Sequence, residues 1–181
     1  PELLNKERPK ADQDKKQLSR AFSGFVLHKM LNVGIADAAQ SVVDDFDDNG
    51  LDAIHYEATS KTLYLVQTKF REREQFDEGD AIRFRCGADL LLGQRYDRFN
   101  ANVQCRKDEL DDAFDEAERI QLVVAYIGTG FSAHANAALK ELTEDEDHHE
   151  VGRLQPDIAE YCSDKVQADL LAEQSVGVVN D

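Results

Sequence analysis

The chain has 181 residues, of which 41% are hydrophobic and 32% charged, and its net charge is −16 at pH 7. This length and composition fit one globular domain with a sizeable core and exclude a disordered chain. The excess of acidic residues counts against tight binding of duplex nucleic acid by this domain alone, because phosphate contacts need Lys and Arg.

Hydrophobic periodicity in the first half of the chain predicts two helices followed by a β-hairpin. The predicted elements are a flexible polar segment at residues 1–16, a helix from Gln17 to Leu31, a short helix from Ala36 to Val43, a turn-rich acidic loop from Asp44 to Gly50, and strands from Leu51 to Glu57 and from Thr62 to Arg71.

The second half predicts helices on either side of one buried strand. The predicted elements are a charged loop from Arg73 to Gly79, a helix within Asp80–Leu92, a helix near Lys107–Arg119, a strand from Leu122 to Ile127, a helix capped by Ser132 and ending near Glu141, an acidic loop from Glu144 to Glu150, and a helical segment from Gln155 onward. In the helix within Asp80–Leu92, the side chains expected to point inward are those of Ile82, Phe84, Cys86 and Leu90. The strand is almost continuously apolar, which is typical of burial on both faces.

This order of elements predicts an α/β domain with a central mixed β-sheet flanked by helices. Its core is expected at residues 17–142, followed by an acidic loop and a C-terminal helical extension at residues 143–181. The acidity is unevenly placed: residues 108–181 hold four Lys or Arg and nineteen Asp or Glu. Residues 69–107 hold nine basic and seven acidic residues, so the segment after the hairpin is mildly basic.

The predicted hairpin places three polar residues near one strand end. If the chain turns around residues 59–60, opposite residues have numbers that sum to about 119, and Asp52 lies beside Gln67. Side chains alternate along a strand, so Gln67 and Lys69 share a face. An amide in the middle of an apolar strand needs hydrogen-bond partners or a metal ion if it is buried. An acid, a second oxygen ligand and a lysine at one strand end are typical of a metal-dependent phosphodiesterase site.

The pattern Asp52…Gln67-Thr68-Lys69 resembles the PD-(D/E)XK nuclease superfamily, in the variant where Gln replaces the second acid. The surrounding stretches, residues 47–54 and 65–70, are similar to the N-terminal part of AIPR-type abortive phage infection proteins. A later stretch at residues 120–127, followed by residues 132–139, is also similar, and the resemblance spans about residues 19 to 142. It implies a restriction-endonuclease-like fold and a nuclease domain of a phage-defence protein.

The resemblance also implies a site and a cofactor. Mg²⁺ or Mn²⁺ would be held by the Asp52 carboxylate, the Gln67 amide oxygen and the backbone carbonyl of Thr68. Lys69 would orient the attacking water and help neutralise the phosphate. Many relatives carry a Glu on the first helix, which has no acid here, and Asp45 or Asp44 is the candidate to replace it as an outer ligand.

The expected partners follow from the same reasoning. The substrate would be DNA or RNA, a homodimer is considered, and no membrane partner is expected, because no apolar run approaches the roughly 20 residues of a membrane span. Three cysteines without CxxC spacing favour a reducing cytoplasm over a disulfide framework or zinc site. The chain starts at Pro1 and is shorter than AIPR-type proteins generally are, so a longer protein is expected.

Two alternatives stay open. Asp45-x-Asp47-x-Asn49-Gly50 matches the first half of a calcium loop, which would make this a calcium-binding structural domain. Its twelfth position is Tyr56 where Glu is required. The second alternative is a catalytically inactive nuclease fold used for binding, which the replacement by Gln67 and the net charge of −16 favour.

Overall fold

A computed structural model describes residues 9–70, 75–144 and 152–177, with side chains up to residue 172. The described elements are α1 (Lys10–Leu31), α2 (Ile35–Ser41), β1 (Ala53–Glu57), β2 (Thr62–Phe70), α3 (Glu78–Leu92), a 3-10 turn (Tyr96–Arg98), α4 (Ala101–Gln104), α5 (Lys107–Glu116), β3 (Arg119–Ile127), α6 (Ala133–Glu144), β4 (Ala159–Tyr161) and α7 (Ser163–Gly177).

The four strands form one mixed sheet in the order β1-β2-β3-β4. β1 and β2 are antiparallel, and β3 runs parallel to both β2 and β4. In the hairpin, Ala53 lies opposite Val66 and Glu57 opposite Thr62, so the predicted sum of 119 is confirmed. The predicted α/β class with a helix-flanked mixed sheet is confirmed as well.

The core lies in two layers, one on each face of the sheet. On one face, Leu63, Leu65 and Leu122 join buried residues of α3, α5 and α6. On the other, Val66 and Val123 pack against Phe22 and Val26 of α1 and Val166 of α7. β3 contributes to both layers, which confirms the prediction of a strand buried on both faces. The sheet is thus enclosed by helices, and the exposed ends of its strands are where a site can form.

The predicted start of the first helix at Gln17 was wrong, because α1 already begins at Lys10, after Pro9 at its N-cap. Proline is well suited to a helix start, and residues 10–16 are mostly good helix formers. They lack the apolar periodicity on which the prediction depended, because the buried residues of α1 begin at Phe22. Residues 10–16 of the predicted flexible segment are therefore helical, and residues 1–8 lie outside the described chain.

The predicted inward face of α3 was wrong in part. Phe84 is fully buried as expected, but Ile82 and Cys86 are exposed. The buried stripe is formed by Ala81, Phe84, Ala88 and Leu91. Two small residues on this stripe, Ala81 and Ala88, let the helix approach the core closely, whereas the prediction gave weight to side-chain size. α3 also begins earlier than predicted, at Glu78 after a capping box between Asp77 and Asp80.

The remaining differences concern element bounds and short elements. α5 ends at Glu116 rather than near Arg119, and β3 begins at Arg119 rather than at Leu122. The 3-10 turn, α4 and β4 were not predicted, and the segment from residue 155 forms a strand before its helix begins at Ser163. Ser132 accepts a hydrogen bond from the Ala135 N–H at 3.0 Å and caps α6 as expected. The predicted acidic loop lies outside the described residues, apart from Glu144. Among the described helices, none combines the length and the apolar character that a membrane crossing requires.

Candidate metal centre

The loop between α2 and β1 folds back tightly, and glycine makes this possible at two positions. Gly50 has φ +84°, in the left-handed region, where a side chain would be strained. Gly87 of α3 faces the same loop: a Cβ there would lie 2.3 Å from the Asn49 carbonyl oxygen. The backbone of the loop therefore rests directly on α3.

Backbone hydrogen bonds align the two ends of this loop. The N–H groups of Val43 and Asp44 both donate to the Asp52 carbonyl, at 2.9 and 3.1 Å. The Asp52 N–H donates to the Val66 carbonyl at 2.9 Å, which extends the hairpin pairing beyond β1. Asp44 and Asp52 are eight residues apart in sequence and are held side by side at the end of β2.

Three carboxylates meet at this point. One oxygen each from Asp44, Asp48 and Asp52 lies within 4.8 Å of the others. An ion bound by three oxygens at about 2.1–2.4 Å needs them within roughly 4–5 Å of one another. Asp44 and Asp52 are buried and Asp48 is half-buried. This arrangement fits a hard divalent cation.

The hydrogen bonds of the cluster leave capacity for an ion. Asp52 Oδ2 accepts from the Thr68 N–H at 2.6 Å and from the Thr68 hydroxyl at 3.2 Å. Asp48 Oδ1 accepts from the Gly50 N–H at 2.8 Å. Asp44 Oδ1 pairs with Lys16, whereas Asp44 Oδ2 is buried without a hydrogen-bond partner among the described residues. A buried carboxylate oxygen without a partner is costly, so a cation here would stabilise the site.

Electrostatics point to the same conclusion. Burial raises the pKa of Asp52 to about 7, reinforced by the charges of Asp44 and Asp48 and opposed by the Thr68 hydrogen bond and Lys69. Burial also raises the pKa of Asp48, although the Gly50 N–H bond opposes it. Like charges and low polarity disfavour ionisation, and a bound cation would reverse the effect.

The cluster opens into a cavity of about 440 Å³ that is also lined by basic side chains. Its lining includes Lys15, Lys16, Lys69 and Arg83 beside the three acids. Lys69 Nζ lies 3.3 Å from Asp80 Oδ1. The cavity thus combines a candidate metal site with positive side chains, which is the charge pattern that a phosphate group requires.

Helix α1 fixes the acidic loop from the other side. Arg20 donates to the Asp44 carbonyl at 2.8 Å and to Asp45 Oδ2 at 2.9 Å. The Ser23 and Thr68 hydroxyls lie 2.8 Å apart and join α1 to β2. From Gln17 to its end, α1 has no acid, and the helix supplies Lys16 and Arg20 to the loop instead.

The predicted site residues are brought together in part. Asp52, Thr68 and Lys69 line the cavity. Gln67 is fully buried and is absent from the lining, and neither atom of its amide group has a hydrogen-bond partner in the described chain. The ligand roles of Gln67 and of the Thr68 carbonyl stay predictions.

The structure gives less support to the calcium loop and to Asp45 as an outer ligand. Both Asp45 oxygens are engaged, one by Arg20 and the other by the Phe46 N–H at 2.9 Å. Asn49 donates its amide to the Arg98 carbonyl at 2.9 Å. The carboxylates that converge with Asp52 belong to Asp44 and Asp48, of which only Asp44 was considered as a ligand from the sequence.

Sequence reasoning missed Asp48, Lys16 and Arg83. The signal for Asp48 was present, because Asp44, Asp48 and Asp52 are spaced four residues apart around a turn. Lys16 and Arg83 are brought in by α1 and α3, and only tertiary packing shows that they reach the cavity.

Comparisons with known proteins add no identification: no family model, no curated protein and no solved structure matches this chain. The geometry of the cavity is therefore what indicates a function.

Proposed function

We propose that this domain is a Mg²⁺-dependent nuclease with a restriction-endonuclease-like fold, acting in the cytoplasm as part of a longer phage-defence protein. The observation that carries the proposal is the cavity in which three converging carboxylates lie beside lysine and arginine side chains. Acid clusters alone are common on protein surfaces. Buried acids with a raised pKa and adjacent cations are typical of phosphoryl-transfer sites.

The chain's residues have separate roles in this proposal. Asp44, Asp48 and Asp52 hold Mg²⁺ or Mn²⁺, with Asp52 as the anchoring ligand that the hydrogen bonds of Thr68 keep in place. When bound, the ion lowers the pKa of a coordinated water and stabilises charge on the phosphate. Lys69, near the acids and held by Asp80, orients that water and interacts with the phosphate oxygens. These roles do not require Gln67 as a ligand.

A catalytically inactive nuclease fold is the second candidate. It is favoured by the position of Gln67, which occupies the place of the second acid in the PD-(D/E)XK pattern and does not line the cavity. It is also favoured by the ion pair between Lys69 and Asp80, since an engaged lysine is less available to a substrate.

Cleavage assays separate the two candidates. The wild-type chain should cut single- or double-stranded DNA or RNA with Mg²⁺ or Mn²⁺. Asp52→Asn should reduce the rate by at least about 100-fold, because the anchoring ligand loses its charge. Lys69→Met should reduce turnover by a similar factor and leave Mg²⁺ affinity within about two-fold, since lysine acts on water and phosphate.

Asp47→Asn is the matched control. Asp47 lies in the same loop and is exposed, outside the cluster, so its variant should cleave like the wild type. Equal rates for wild type and Asp52→Asn would identify the cleavage as contamination. Mg²⁺ binding without cleavage of any substrate would favour the inactive fold.

A further inference from the structure

Large apolar side chains are exposed around the carboxylate cavity. Phe70 and Leu18 line it and are 41% and 48% exposed. Phe46 follows Asp45 in the acidic loop, is 56% exposed, and has its ring centroid 6.0 Å from Lys16 Nζ. Two exposed rings beside a charged cavity form a candidate binding surface.

Contacts hold both rings at this surface. Phe70 meets the ring of buried Phe22 edge-to-face, with centroids 5.8 Å apart. Phe46 lies next to Lys16, which is itself paired with Asp44 of the cluster. The rings belong to different elements, the loop before β1 and the end of β2. Phe70 lines the cavity itself, and Phe46 contacts Lys16, which lines it.

Basic side chains also lie at this surface. Lys15 and Arg83 line the cavity and are exposed. Neither forms an ion pair with another residue in the described part of the chain. Phosphate groups on either side of a bound nucleotide could contact them. Aromatic side chains combined with basic ones are characteristic of surfaces that bind unpaired bases by stacking, independently of sequence.

We propose that Phe46, Phe70, Lys15 and Arg83 bind unpaired nucleotides, so that the substrate class is single-stranded nucleic acid. This inference rests on the proposed nuclease function. A base can stack on a phenylalanine only if one face of the base is open, and in a duplex both faces of each base are covered by neighbouring bases. A duplex would also need a wide basic surface, whereas the chain has a net charge of −16 and the cavity is lined by four basic side chains among the described residues.

Binding is tested with labelled oligonucleotides of about 12 units, single-stranded and duplex, as DNA and as RNA, by fluorescence anisotropy with Ca²⁺ in place of Mg²⁺. Single strands should bind at least about ten-fold more tightly than duplexes. Phe46→Leu and Phe70→Leu should each weaken single-strand binding by about five-fold or more. Phe46→Tyr and Phe70→Tyr keep a stacking ring and should bind like the wild type.

Ile35→Ala is the control, because Ile35 is 75% exposed and does not line this cavity. Duplex binding as tight as single-strand binding, or Leu variants that bind like the wild type, would overturn the inference. If Phe70→Leu does not fold, Phe46→Leu on the loop carries the test. Single-strand binding that needs the rings, without cleavage in Mg²⁺ or Mn²⁺, would support the binding surface and contradict the nuclease function. Duplex cleavage by the Leu variants at the wild-type rate would support the nuclease function and contradict the binding surface.

Discussion

Asp52 has surroundings unlike those of an ordinary surface carboxylate. It is buried next to two other acids, and its pKa is raised to about 7. Without a cation it is therefore partly protonated at neutral pH. Binding of a divalent ion must release that proton, so Mg²⁺ affinity should increase from pH 6 to pH 8.

The raised pKa of Asp52 predicts a pH dependence of stability. An acid with a folded-state pKa above its unfolded value of 3.8 stabilises the fold below about pH 4, and this contribution is lost as pH rises through about 7. The contribution is at most about 4 kcal/mol. Asp52→Asn should therefore be more stable than the metal-free wild type at pH 8, and the difference should disappear near pH 4. Urea unfolding in EDTA measures it.

Two comparisons make that test specific. Asp47→Asn removes an exposed charge from the same loop and should change the free energy of unfolding by less than about 0.5 kcal/mol at either pH. Saturating Mg²⁺ should reverse the order at pH 8, because it stabilises only the protein that binds it. A constant difference between Asp52→Asn and wild type across this pH range would contradict the raised pKa.

Gln67 supports a second prediction at this scale. Its amide is fully buried, and both polar atoms lack partners among the described residues. Gln67→Met keeps the side-chain length and removes the unsatisfied groups. The free energy of unfolding in EDTA should rise by about 1–3 kcal/mol. Calorimetric titration of Mg²⁺ into the same variant tests the ligand prediction: a ten-fold loss of affinity would confirm Gln67 as a ligand, and unchanged affinity would exclude it.

At the scale of elements, the contact between α3 and the acidic loop sets the position of Asp48. Gly87→Ala places a methyl group 2.3 Å from the Asn49 carbonyl oxygen, so the loop or the helix must move. We expect a loss of about 1–3 kcal/mol in the free energy of unfolding, and weaker Mg²⁺ binding because the carboxylates separate. Thermal unfolding and calorimetry with Mn²⁺ measure the two effects.

Gly24→Ala is the matched control for that substitution. Gly24 lies in α1, and a Cβ there would meet Val42 Cγ2 at 3.9 Å, which is an ordinary contact. The variant should gain about 0.5–1 kcal/mol through higher helix propensity and bind Mg²⁺ normally. Normal Mg²⁺ affinity in Gly87→Ala would mean that the loop does not control the site.

Elements with strong local patterns could be predicted from the sequence. The hairpin register followed from alternation and from one turn, and β3 from a continuous apolar run. These signals lie within a few neighbouring residues. The proximity of Asp52 to Lys69 followed from the same register, since strand pairing determines which residues are close to each other.

The parts that could not be predicted depend on tertiary contacts. β4 has three residues and forms only because β3 is beside it. The buried face of α3 contains alanines, whereas the larger Ile82 is exposed, because the helix packs closely against its neighbours. Asp48 reaches the cluster through left-handed residues at Asp47, Asn49 and Gly50, which no hydrophobic pattern indicates.

At the scale of the whole molecule, the charge is segregated along the chain. The residues that line the cavity all lie between Lys15 and Arg83, whereas residues 108–181 hold nineteen acids and four bases. The acidic part limits non-specific attraction to nucleic acid, and the cavity supplies local cations. Under the proposed function, this charge pattern favours binding of a short stretch of nucleic acid at the cavity.

We expect one divalent cation to bind between Asp44, Asp48 and Asp52. Anomalous diffraction from crystals grown with Mn²⁺ tests this site, because the peak locates the ion without any assumption about activity. A peak should lie about 2.1–2.4 Å from an oxygen of each of the three carboxylates. A peak at Asp45, Asp47 and Asn49 would support the calcium loop, and crystals without a peak at the three-carboxylate cluster would rule out the proposed metal site.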